Sequence, residues 1–175
     1  GHSRKGSIMA RQILWKMNVP FASRERICAM ILHHQEPFFV IEKDDALRRI
    51  ITMSQRLICE HLGWVTYADG DGRHCQDQQK ILDNVELFVE ICREQNCLTT
   101  PFGFGNDHSR WSYFRRAERD PFYTAFDDTR CTVTLMSGLP ASGKSHWVTY
   151  NATGQAVITL DDIRQKLNIS PKDKQ

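Results

Sequence analysis

A chain of 175 residues can hold one domain or two small ones, and 41% apolar residues are enough to build a core. Its formal net charge of +2 demands no polyanionic partner on electrostatic grounds alone. No apolar run approaches the roughly 18 residues a membrane-spanning helix needs, and no stretch reads as a signal peptide, so no membrane partner is expected.

The first hundred residues read as helical. Residues 7–15 place Ile8, Met9, Ile13 and Leu14 at three- and four-residue spacing. Val19-Pro20-Phe21 breaks the pattern, and Ser23 is a candidate N-cap for a helix over about 24–34. Asp44 or Asp45 caps a long amphipathic helix reaching about His61, with Leu47, Ile50, Ile51, Leu57 and Ile58 on its apolar face and Gly63 as its stop. A further helix runs from Asp77 or Gln78 to about Glu94 around Ile81, Leu82, Val85, Phe88 and Ile91.

Residues 101–129 change in texture. Aromatic residues crowd there, interleaved with Arg110, Arg115, Arg116 and Arg119. The segment reads as an irregular connector packed on a second domain beyond it. Its rings serve as packing, or with the arginines as a base-stacking surface, or the arginines only pair with Glu118, Asp120 and Asp127.

Six cysteines, Cys28, Cys59, Cys75, Cys92, Cys97 and Cys131, lie partly within apolar helical stretches. That placement suits buried thiols in a reducing cytoplasm. Cys92-x₄-Cys97 lacks a second pair to complete a zinc site and reads as structural.

Near the tail, Gly138-Leu139-Pro140-Ala141-Ser142-Gly143-Lys144-Ser145 fits G-x-x-x-x-G-K-[ST]. Glycines let main-chain N–H groups turn toward phosphate oxygens. Lys144 supplies a charge for the β- and γ-phosphates, and the Ser145 hydroxyl suits Mg²⁺. Residues 131–136 are β-branched and apolar, and read as a buried strand entering the loop. Residues 145–150 open a helix, and 156–160 read as a second buried strand, giving a β-α-β start.

With His146-Trp147 after the loop and Leu160-Asp161-Asp162-Ile163-Arg164 after the second strand, residues 131–175 resemble the phage-type polynucleotide 5′-kinases and related small-substrate P-loop kinases. The resemblance implies ATP with Mg²⁺, Asp161 as the base for an acceptor hydroxyl, Arg164 as the grip on an acceptor phosphate, and Asp162 as a helix cap. Asp161 and Asp162 as plain caps, with Arg164 a surface residue, is the alternative. His146 departs from the family, where threonine is common.

Residues 1–95, through Leu14-Trp15, Val19-Pro20-Phe21, Met30-Ile31-Leu32-His33-His34 and Ala68-Asp69-x-x-Gly72-Arg73, resemble the later part of HD-superfamily domains attached to tRNA nucleotidyltransferases and poly(A) polymerases. The resemblance implies a divalent transition-metal site, with His2, His34 and Asp69 on its later positions and His33 as neighbour. No His-Asp doublet occurs in the chain. The histidines also suit a helix C-terminus, and Asp69 a turn.

These readings predict a truncated HD-like helical domain over 1–98, a connector over 99–130 and an incomplete α/β P-loop domain over 131–175, as in an internal fragment of a longer protein. Together the resemblances imply a polynucleotide or nucleotide kinase in RNA processing or repair, whose partners are a nucleoside triphosphate and an RNA or nucleotide acceptor. This fragment, lacking a Walker-B carboxylate and a lid, is expected to bind nucleotide weakly without turnover. A metal-dependent phosphohydrolase with a nucleotide-sensing loop and a non-catalytic RNA-binding module are the rival readings.

Overall fold

The computed structural model describes residues 1–170; residues 171–175, the end of the expected P-loop portion, lie outside the described residues. The chain divides into two units, Gly1–Asp127 and Asp128–Gln175.

The first unit opens with a helical hairpin, α1 (His2–Lys16) and α2 (Phe21–His33). Its turn places Asn18 at φ 55°, a left-handed conformation asparagine tolerates, while the Val19 N–H reaches back to the Leu14 carbonyl at 3.0 Å. Pro20 rather than Ser23 precedes α2, because proline presets the backbone and has no N–H to satisfy. Gly6 lets the helices approach; a Cβ there would sit 3.3 Å from the Ile31 side chain. Ser7, buried at the same seam, donates its hydroxyl to the Cys28 carbonyl at 2.8 Å.

Two short 3-10 turns, Glu36–Phe38 and Val40–Glu42, lead into α3 (Ala46–Ser54), α4 (Cys59–Asp71) and α5 (Gln78–Glu94). One long helix over 45–61 is expected from the apolar spacing; two helices form instead. The break arises from polar side chains at its centre. Ser54 turns its hydroxyl back onto the Ile51 carbonyl at 2.7 Å and accepts the Phe102 N–H at 3.1 Å, while Gln55 donates to the Phe102 carbonyl at 3.1 Å. The Glu60 N–H at the start of α4 donates to the Leu98 carbonyl at 3.0 Å.

Gly63 does not stop a helix but lies inside α4. A Cβ there would meet Val89 Cγ2 at 2.8 Å, and one at Gly70 would meet Leu82 Cδ2 at 3.0 Å. The two glycines therefore set how closely α4 and α5 pack. Around that seam the core gathers Ile50, Ile51 and Met53 of α3, Cys59 and Leu62 of α4, and Phe88 and Cys92 of α5.

The aromatic segment belongs to this first unit and packs on its helices. Within it α6 (Asp107–Arg115) forms, capped by the Asn106 carboxamide accepting the Ser109 N–H at 2.6 Å. Phe102 and Tyr113 are buried in the same core. Arg48 of α3 spans the C-terminal end of α6. Its guanidinium donates to the Tyr113 carbonyl at 2.8 Å, the Arg116 carbonyl at 3.2 Å and the Ala117 carbonyl at 3.3 Å, and lies over the Tyr113 ring at 4.5 Å.

The second unit holds α7 (Lys144–Asn151) and α8 (Leu160–Lys166). The expected β-α-β start of an α/β P-loop domain is not there: no strand forms among the described residues, whose regular structure is helical throughout. The expectation of a mainly helical N-terminal part agrees with the first unit. Residues 131–136 and 156–159 have the β-branched composition of strands but no ladder partner, and Val133 and Leu135 are 83% and 88% exposed, so no burial rewards pairing. No helix of the described residues is long and apolar enough to cross a membrane.

Candidate functional site

The loop between residue 138 and α7 is built by backbone conformations that side chains rarely adopt. Ala141 sits at φ 60° and Gly143, the N-cap of α7, at φ 88° and ψ 10°. Glycine makes the second of these at no steric cost; at Ala141 the Cβ introduces strain. Alternation of left- and right-handed residues is the backbone pattern of anion-binding nests, and two left-handed residues stand here two positions apart. The Ser142 N–H donates to the Leu139 carbonyl at 3.2 Å and closes the curl.

Helix α7 then starts at Lys144, so the loop's concave side adjoins its N-terminus, where the first N–H groups have no intrahelical partner and the helix dipole is positive. The Lys144 ammonium folds back across the loop, donating to the Gly138 carbonyl at 2.8 Å and the Leu139 carbonyl at 2.7 Å. Two of the three donors of the ammonium are thus used on loop carbonyls. Gly138 is close-packed, since a Cβ there would come within 2.6 Å of Ser142 Oγ. Leu139, Pro140, Ser142 and Ser145 are all exposed, so the concavity opens to solvent.

Ser145 stands in the first turn of α7 and is exposed. That position suits a Mg²⁺ ligand in a nucleotide complex. His146 turns along the helix onto Tyr150, with ring centroids 4.6 Å apart. Its imidazole is therefore held on the flank of α7.

Asp161 and Arg164 lie together in α8, joined at 3.3 Å one turn apart. Asp161 is in the first turn of this helix, not at the end of a strand. Thr159 caps α8, its hydroxyl accepting the Asp162 N–H at 3.0 Å; Asp162 is the residue capped, not the cap. The pattern Thr159-x-x-Asp162 is a capping-box signature legible in the sequence.

The HD-like residues are placed differently. The His2 and His34 rings meet edge to face at 5.6 Å, across the α1–α2 hairpin. His34 Nδ1 bonds the Ile31 carbonyl at 2.8 Å. Asp69, inside α4, is taken by Arg73 at 2.6 Å. No group of three or more His, Cys, Asp or Glu among the described residues is arranged to hold a metal ion. A transition metal therefore does not fit His2, His34 and Asp69 as they stand. His33 Nδ1 faces Glu36 Oε1 at 2.8 Å, while its Nε2 is buried with no partner among the described residues.

No family model matches this chain, nor does any curated protein or any solved structure. Its function is therefore read from these residues and their chemistry.

Proposed function

We propose that this chain is the ATP-binding part of a P-loop phosphotransferase acting on a hydroxyl of a nucleic acid or nucleotide. The observation that carries the reading is the Lys144 amine fixed by two loop carbonyls over a nest of left-handed turns, at the N-terminus of α7.

The chemistry assigns the roles. The main-chain N–H groups of 142–145 and the Lys144 ammonium hold the β- and γ-phosphates and stabilise charge as the phosphoryl group moves. The Ser145 hydroxyl would hold Mg²⁺, which would supply positive charge to offset that of the phosphates. Asp161 takes the proton of the acceptor hydroxyl as the γ-phosphoryl passes to its oxygen and the nucleoside diphosphate leaves. Arg164 grips a phosphate of the acceptor with its planar fork. The Asp161–Arg164 pair is exposed and held by little, so it parts readily when substrate arrives.

Titration with a fluorescent ATP analogue and Mg²⁺ tests the reading. Removing a charge-assisted contact costs about 1.5–3 kcal/mol, so Lys144→Ala weakens binding by about 10- to 100-fold. Asp161→Asn leaves nucleotide affinity unchanged. Equal affinity of the wild type and Lys144→Ala defeats the proposal.

A further inference from the structure

The surface around α6 in the first unit has a composition the phosphate loop does not explain. Trp111 is 55% exposed and flanked on its own helix by His108, stacked at 5.5 Å, and by the Arg115 guanidinium at 5.1 Å from the ring. One turn beyond the helix, Arg119 lies over the Tyr123 ring at 4.4 Å. A guanidinium stacked on a ring directs its N–H fork sideways, so one side chain both orders an aromatic platform and offers phosphate donors.

Two open clefts adjoin these platforms. One, of about 470 Å³, is lined by Gln55, Arg110, Trp111, Phe114 and Arg115 among others. The other, of about 540 Å³, is lined by Arg116, Arg119, Asp120 and Tyr123 among others. Each has two arginines and at least one exposed ring. Adjacent residues Arg115 and Arg116 line different clefts, so the two lie next to each other. Arg48 fixes the backbone between them through the carbonyls of residues 113, 116 and 117.

We propose that the two clefts are successive stations of a docking surface for single-stranded nucleic acid, with bases stacked on Trp111 and Tyr123 and the backbone held by Arg110, Arg115, Arg116 and Arg119. The two clefts are lined by four arginines and three carboxylates, of Asp107, Glu118 and Asp120, a net positive charge. Asp107 pairs with Arg110 at 3.3 Å, which leaves Arg115, Arg116 and Arg119 against Glu118 and Asp120. The rings select among polyanions. A duplex hides the faces of its bases, and a polyglutamate chain has no rings to stack. This surface belongs to the first unit alone and is independent of the phosphate loop.

Fluorescence anisotropy with a labelled mixed-sequence RNA 12-mer tests it on the whole chain, in a Lys144→Ala background that removes the loop's contribution. We expect binding at low salt that weakens ~10-fold or more in Arg115→Gln/Arg116→Gln. The salt dependence should also flatten, by ~0.7 in the log–log slope for each phosphate no longer neutralised. Trp111→Leu, a surface change outside the core, weakens binding without changing that slope. If the double variant loses its helical circular dichroism, Arg119→Gln alone provides the same slope test. No binding at low salt, affinity and slope unchanged in the arginine variants, or equal competition by duplex RNA or polyglutamate each overturns the proposal.

Discussion

At the scale of single residues, the decisive position is Gly143. At φ 88° a side chain would be strained even though nothing crowds its Cβ. Gly143→Ala therefore costs about 1–2 kcal/mol of conformational energy and distorts the nest, and nucleotide affinity falls with it. Calorimetric titration against the wild type checks this. Ala141 is the mirror case: at φ 60° it carries strain that glycine would relieve, so Ala141→Gly leaves binding intact. A second residue-scale device is His33 against Glu36. That hydrogen bond holds the Glu36 carboxyl below its ordinary 4.5. A depressed carboxylate stabilises the fold above its unfolded pKa and loses that contribution as pH falls through the folded value. Urea melts should find Glu36→Gln less stable than the wild type at pH 7, with the gap narrowing as the pH drops below about 4.5.

At the scale of elements, α4 and α5 meet where side chains are absent. Gly63→Ala drives a methyl into Val89 Cγ2, 2.8 Å from its ideal position, and valine is too stiff about χ1 to swing clear cheaply. Thermal denaturation should show a destabilisation of about 1–3 kcal/mol, the usual cost of overpacking a close seam. Propensity alone makes Gly63 a helix stop, but tertiary packing outweighs propensity there. The same competition divides α3 from α4: the apolar spacing runs on, but Ser54 and Gln55 give their hydrogen bonds to Phe102, a partner far along the chain. Helix α5 was legible almost to the residue, because its apolar period is uninterrupted. The two strand-like runs were misleading for the opposite reason. Their composition was plain, but a strand exists only with a partner, and composition does not supply one.

At the scale of the whole molecule, the cysteines report where the structure is closed. Cys28, Cys59, Cys92 and Cys97 are buried free thiols, while Cys75 and Cys131 are exposed. Cys92 is held above its ordinary range by hydrogen bonds with Cys59 and Cys97 and by burial, which keeps it protonated and unreactive. Iodoacetamide on the native chain should label Cys75 and Cys131 quickly, and the other four only on unfolding, as mass mapping would show. The first unit is thus a closed helical body whose outline the sequence carried in its periodicity. The second presents its loop on a stretch of chain with no buried residues in either helix. Its loop turn was legible because the left-handed backbone at residue 143 suits glycine, which the sequence shows directly. The proposed HD-type metal residues were not assembled, because convergence of His2, His34 and Asp69 depends on long-range packing that short motifs do not specify.

Above all, the curled backbone of residues 138–145 is proposed to hold a triphosphate. Backbone amide NMR of the whole chain, with a non-hydrolysable ATP analogue and Mg²⁺ added stepwise, tests this most directly. Saturable shifts of the amides of Gly143, Lys144 and Ser145, needing about 10- to 100-fold more nucleotide in Lys144→Ala, are the predicted result. Amides of the loop that stay in place at saturating nucleotide, or shifts confined to other parts of the chain, would contradict it.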